Sequence, residues 1–237
     1  MTDPGTTMPA NRPRRGRPPT SPLTPALILE TARALVEREG PDALTLRRLG
    51  TELGSNHTAV LRHFTGKDEI VLGLAEQLIE EALAGFVPRE DWRDTLTALA
   101  RRVRTACLAH PAVAVLVATR VSRRAAEFRG ADTVIGALRQ AGFGELDAAR
   151  YYRVLADTVL AVSSYEASVT VLDDEARRGD RMAWQREYLA VSPVRYPHLA
   201  AVAGHLAAID AEDQFETVLE LLLDAVELRA LRAARER

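Results

Sequence analysis

The chain has one cysteine and one lysine, Cys107 and Lys67, among 237 residues. A single cysteine excludes an intrachain disulfide and fits a reducing cytoplasm. No apolar run approaches the roughly 20 residues needed to span a bilayer. The N-terminus lacks the apolar core of a signal peptide, and no Gly-x-Gly-x-x-Gly or phosphate-binding loop occurs. Aromatic residues make up only 5%. These absences argue against a disulfide-stapled secreted domain, a membrane protein and a nucleotide-dependent enzyme. They predict a cytoplasmic protein with no membrane partner. Cys107 stands in "RRVRTACLAHP", where a small buried apolar residue on a helix is expected, not a redox sensor.

What is present is ordinary for a globular protein: 47% apolar and 27% charged residues, with a formal net charge of -2. The charge is not evenly spread. Arg12, Arg14, Arg15 and Arg17 face only Asp3 in the first twenty residues, a local balance of +3, so the remainder sums to -5. Residues 1–22 also hold six prolines and almost no large apolar side chains. Such a segment buries too little surface to offset its ordering entropy and reads as a disordered basic arm.

Beyond the arm the pattern is helical. Thr24-Pro25 marks a helix start, with threonine as N-cap and proline in the first turn. Leu27, Ile28, Ala32, Leu35 and Val36 recur at helical spacing until Gly40-Pro41. Thr45 caps a second short helix carrying Leu46, Leu49 and Leu53, which Gly54 ends with a left-handed turn. Asn56 caps a third helix, from about His57 to Phe64, with Val60 and Phe64 inward. Asp68 and Glu69 occupy the first turn of a fourth, where carboxylates complement the helix dipole. Three helices, the last two joined by a short glycine-containing turn, form a helix-turn-helix head over residues 23–68.

Amphipathic helices are predicted over 68–85, 91–109, 112–128, 131–141, 146–173 and 210–235, with shorter pieces from 176 to 208. The run "VAVLVATRV" is β-branched enough to pass for a strand, but its flanks favour a buried helix. The expected fold is therefore all-α: the helix-turn-helix head and a larger C-terminal helical domain over 69–237. The final helix carries Phe215, Val218, Leu219, Leu222, Leu223, Val226 and Leu231 in one stripe. Together with the 146–173 helix it would form a four-helix interface in a homodimer, unless both are interior helices of a monomer.

The third helix leaves His57, Thr58, Ala59, Leu61, Arg62 and His63 on an exposed face. Hydrogen-bonding and apolar groups interleaved on such a helix suit base edges in a major groove. Arg62 matches guanine O6 and N7, while Thr58, Ala59 and Leu61 match thymine methyls. Amides near Thr45, and Lys67, suit backbone phosphates, with Arg47 beside the groove edge. In the arm, "PRRGRPP" places Arg14, Arg15 and Arg17 on a narrow, extended chain of the kind that lies in an A·T-rich minor groove. Other chemistry is poorly served. His198 and His205 make a weak metal pair, Ser163-Ser164 lacks a nucleophile elbow, and Asp173-Asp174-Glu175 reads as a solvated turn. No catalytic residues, metal or cofactor are expected.

The stretch "ALILETARALVEREGPDALTLRRLGTELGSNHTAVLRHFTGKDEIV", Ala26 to Val71, resembles the DNA-binding segment of the TetR (tetracycline repressor) family. Gly40, Leu44, Thr45, Leu49, Leu53, Gly54, Arg62, His63, Phe64 and Lys67 all match its pattern. The resemblance implies an all-α homodimer whose heads bind a palindromic operator in double-stranded DNA and whose C-terminal domain encloses an effector. By position it puts Arg47, His57, Thr58, Ala59, Leu61, Arg62 and His63 on DNA, with Thr45 and Lys67 on phosphates. Two positions depart from the pattern. Leu61 stands where tyrosine is usual, so one phosphate or base contact is lost or exchanged for a thymine-methyl contact. Leu116 falls where tetracycline-binding members place a metal-ligating histidine, which argues against a magnesium–tetracycline effector.

A pocket for a small apolar or aromatic effector is expected among Cys107, Leu116, Arg120, Phe128, Leu138, Tyr151, Tyr165, Trp184 and Tyr188, whose aromatics would give a flat enclosure with polar tips. The function expected is ligand-responsive transcriptional repression. An architectural DNA-binding protein would carry the same head without a defined palindrome, and a helical enzyme or carrier would need a site that matters without DNA.

Overall fold

The computed structural model describes residues 23–235; the basic arm with Arg14, Arg15 and Arg17 lies outside them. Among the described residues the chain is helical with no strand. The head begins with α1 (Pro25–Glu39), whose N-cap Thr24 accepts from the Leu27 amide at 3.2 Å. A short 3-10 turn leads to α2 (Leu46–Glu52), capped by Thr45, and then to α3 (His57–Val60), capped by Asn56. Gly54 has φ 62° between them, the left-handed turn its position predicts. The α-helix of α3 is shorter than expected. From Leu61 the backbone tightens into turns that deliver Phe64 to the core.

α4 (Lys67–Leu83) runs from the head into the body, followed by α5 (Trp92–Ala109), α6 (Pro111–Val117), α7 (Ala125–Gln140) and α8 (Glu145–Thr170). α9 (Asp174–Ala183), a π-helical turn at Trp184–Tyr188 and α10 (Pro197–Leu206) pack chiefly on one another, and α11 (Ala211–Arg235) closes the chain. The helix expected over 112–128 is broken. α6 stops at Val117, and residues 118–124 are irregular, with Arg123 at φ 58°. Side chains of this stretch are taken by α4 instead: Ser122 donates to Glu76 at 3.0 Å and Arg120 to Asp68 at 2.5 Å. No glycine or proline announces that break. The helix expected at 131–141 is the second half of α7.

Two apolar cores hold the molecule. The first gathers Ile28, Leu35, Leu49, Val60 and Phe64 from the head with Leu74 of α4, Cys107 of α5 and Val113 of α6. Head and body therefore share one continuous core. Where α1 and α4 cross, a Cβ on Gly73 would come within 2.6 Å of a Leu29 terminal methyl, so that side chain would have to shift. The second core joins α5, α7 and α8 to Phe215, Leu219, Leu223 and Val226 of α11. Most of the α11 stripe expected to face a second subunit is thus spent on the chain's own core. Arg93 with Asp224 and Glu227, and Arg101 with Glu216, tie the same helix to α5. Half-buried Arg104 grips Glu166 of α8 through two bonds of 2.7 Å, the fork geometry that makes such a pair strong.

Burial pushes the Cys107 thiol up to about 12, with Glu166 adding in the same direction. A thiol so held is not a thiolate at neutral pH. Native protein is expected to leave Cys107 unmodified by an aromatic disulfide reagent at pH 8, with full reaction after denaturation. Labelling of the folded protein within minutes would contradict its burial.

Candidate functional site

The head presents one face on which hydrogen-bonding and apolar side chains alternate. His57, Thr58, Leu61, Arg62 and His63 are exposed, Leu61 at 40%, while Ala59 is half-buried between them. Val60 and Phe64, fully and nearly buried, hold that segment against the core. The segment owes its position to Gly50. A Cβ there would meet the backbone of Asn56 and His57 at 2.9 Å, and the Gly50 carbonyl accepts from the Ser55 amide at 2.8 Å. The absence of a side chain on α2 lets α3 cross it directly.

Charge around this face is sorted. Glu39 accepts from Arg38 and Arg48, and Glu52 pairs with the same two arginines. Arg38, then Arg48, hold the Glu39 carboxyl below the usual carboxylate range. Glu69 is held low by the Thr65 amide and hydroxyl, at 2.6 and 2.9 Å. Glu37 accepts from the Val113 amide of α6 at 2.9 Å, and Asp68 is occupied by Arg120. Arg47, Arg62 and Lys67, by contrast, have no carboxylate partner among the described residues. These cations remain for an external anion, and Thr45 keeps its exposed place at the start of α2. Arg48, which the sequence does not distinguish from Arg47, is spent on the head's own ion pairs.

A second feature is a cavity of about 430 Å³ in the body. Its wall is mostly leucine, alanine and valine from α4, α5, α7, α8 and α11, with residues 118–121 closing one side. Arg120 is on this wall, alone among the nine residues expected around an effector. Cys107 and Leu116 belong to the first core and Leu138 to the second. Tyr151 packs on Phe143 with ring centroids 4.8 Å apart, and the cavity takes its neighbour Tyr152. Phe128 and Tyr165 are more than 60% exposed. Trp184 and Tyr188 stack on each other at 4.1 Å. The wall is made chiefly of aliphatics, which read in sequence like any other core positions.

α6 connects the two features. Its first amides, those of Ala112 and Val113, are held by Glu37 of α1, and its N-cap His110 meets Glu81 of α4 at 2.9 Å. Past its other end, Arg120 and Arg124 reach Asp68 and Glu69 at the start of α4. A short helix is therefore bonded to the head at both ends while its C-terminal extension forms cavity wall.

The segment 28–74 matches the profile of bacterial regulatory proteins of the tetR family, and 86–230 that of the tetracyclin repressor-like C-terminal domain. The class A tetracycline repressor protein from transposon 1721 of Escherichia coli is 31% identical over 212 residues, 88% of this chain and 93% of that protein. Apo ActR from Streptomyces coelicolor superposes with a TM-score of 0.79 at 24% identity, covering 90% of this chain and 99% of that one. A possible TetR family transcriptional regulator from Streptomyces coelicolor A3(2) superposes at 0.73 with 32% identity over 88% of this chain and 100% of that one. With its reading head, its all-helical body and these matches along most of its length, the chain belongs to the TetR family of DNA-binding transcriptional regulators.

Proposed function

We propose that the protein is a homodimeric repressor that binds a palindromic operator and is released by a small effector held in the body cavity. The observation that carries this reading is the sorted charge of the head. Its carboxylates at 37, 39, 52, 68 and 69 are engaged internally, while Glu30 and Asp42 have no ion pair among the described residues. Of the head cations without a carboxylate partner among those residues, Arg33, Arg47, Arg62 and Lys67, the last three would meet DNA. Arg62 would read guanine, Thr58, Ala59 and Leu61 would meet thymine methyls, and His57 and His63 would border them. Thr45, Arg47 and Lys67 would fix register on phosphates. The arm's Arg14, Arg15 and Arg17 would add minor-groove contacts.

The dimer would use the outward faces of α8 and α11. Val218, Leu221, Ala225 and Leu228 follow one another along α11 at helical spacing, with Leu221 65% and Leu228 49% exposed in the single chain. A contiguous exposed apolar stripe of this kind marks an interface. Two heads held about 34–36 Å apart would meet successive major grooves. Effector in the cavity would bear on Arg120, loosen its hold on Asp68 and favour a placement of α4 that spoils this spacing. Only a difference in the effector's affinity for the two placements produces the shift.

The test is a footprint on the DNA flanking the protein's own gene at two salt concentrations, with wild type and Arg62→Ala. A protected pseudo-palindrome that survives the higher salt is expected, with affinity about tenfold or more weaker for the variant, since a bidentate base contact is worth about 1–3 kcal/mol. Diffuse protection that vanishes with salt would instead mean backbone binding alone and would overturn the reading.

A further inference from the structure

The cavity wall carries charge as well as aliphatic surface, and that charge is unevenly compensated. Arg120 donates to Asp68 at 2.5 Å, and Arg153 at the rim pairs with Asp157 at 3.4 Å. Both cations are therefore neutralised by carboxylates of the chain. Glu127, half-buried on α7, is different. It accepts from the Arg123 backbone amide at 2.8 Å but has no cationic partner among the described residues. Tyr152 of α8 lies on the same wall, near enough to Glu127 and Asp157 for both to act on its phenol.

We infer that the cavity takes an amphiphile with a fused-ring or alkyl body and a protonated amine, the amine seated on Glu127 beside the Tyr152 hydroxyl. This inference rests on the reading of the cavity as the effector site and assigns the chemical class that site accepts. Glu127 is half-buried on the cavity wall with no cationic partner among the described residues, and a cationic ligand supplies the missing counter-charge. An anionic ligand would face Glu127 directly, and the half-buried cation of the wall, Arg120, is already engaged by Asp68. Tyr152 adds a polar group without adding charge: burial, then Glu127, raises its phenol above the usual range and keeps it protonated. The aliphatic remainder of the wall, contributed by residues such as Leu78, Leu99, Val134 and Leu160, suits the apolar body.

Three probes sharing one ring system test this: 1-pyrenemethylammonium, 1-pyrenemethanol and 1-pyrenecarboxylate, titrated into the full-length protein and followed by pyrene emission. The ammonium is expected to bind about tenfold tighter than the alcohol, the scale of one hydrogen bond to a charged group, and the carboxylate most weakly. Glu127→Gln keeps an acceptor for the Arg123 amide and removes the charge. It should erase the preference for ammonium over alcohol by lowering the ammonium's affinity to the alcohol's, while saturable binding of the alcohol reports an intact cavity. Glu127→Asp keeps the charge and should keep the preference. A carboxylate that binds as well as the ammonium, or a preference that survives Glu127→Gln, overturns the inference while leaving the cavity a ligand site. Failure of all three probes to bind saturably would instead remove the cavity as an effector site, and this inference with it.

Discussion

Replacing Gly50 by alanine is expected to lower operator affinity by on the order of hundredfold or more while the cavity binds ligand as before. A Cβ at this position meets the backbone of Asn56 and His57 at 2.9 Å. Backbone cannot rotate aside as a side chain can, so α3 must move away from α2 or the head must loosen. Overpacking of this kind costs about 1–3 kcal/mol per site, and the proposed dimer on a palindrome would meet it twice. Gly136 supplies the control. It also lies within a helix, α7, but nothing stands within 4 Å of a Cβ built there. Gly136→Ala should bind DNA like wild type and gain up to about 1 kcal/mol of stability from the helix preference for alanine. Fluorescence anisotropy with a labelled operator, beside thermal melting of both variants, separates the cases. Unchanged operator affinity in Gly50→Ala would show that the α2–α3 crossing tolerates the shift.

A second large effect is expected at the junction of cavity wall and head. Asp68→Asn removes the carboxylate that Arg120 holds at 2.5 Å. The variant should still take up effector and still bind operator, but effector should no longer drive release. Coupling between two sites is typically worth 1–3 kcal/mol, about 5- to 150-fold in affinity, and most of that factor should disappear. Operator affinity is measured with and without the pyrene amine, and the ratio is the readout, because Asp68 adjoins Lys67 and its loss alters DNA binding by itself. Arg120→Gln should give the same loss of ratio, and the double variant no further loss, as a shared contact requires. Full release by effector in both single variants would place the coupling elsewhere along α6.

The two halves of the molecule were unequally legible in the sequence. The head is legible nearly residue by residue because its signals are local: Thr24, Thr45 and Asn56 as caps, Gly54 at φ 62°, Val60 and Phe64 facing inward. Each depends on neighbours within a few positions. Gly50 gave no such signal, since a glycine inside a short helix looks like a weakness until the crossing backbone is seen. The break after Val117 was hidden for a related reason. What stops α6 is a set of bonds to Asp68 and Glu76, some 50 residues back in the chain. The cavity was hardest. Its wall repeats the Leu-Ala-Val pattern of the core, and the choice of Tyr152 over Tyr151 turns on a helical phase of one residue. The α11 stripe was recognised as apolar, but periodicity alone does not say that Phe215, Leu219 and Leu223 face inward while Leu221 and Leu228 face out.

The core shared by head and body bears on how such a protein can be rebuilt. A chimaera joined at the start of α4 would sever Val60 and Phe64 from Leu74 and Val113, and Glu37 from the amides of α6. Grafting a foreign head onto this body would therefore bring mismatched packing to the seam between head and body. Exchange confined to the exposed positions His57, Thr58, Leu61, Arg62 and His63 leaves that seam intact. New operator specificity should thus be introduced as a change of surface lettering on a fixed frame, with the ligand response inherited from the host.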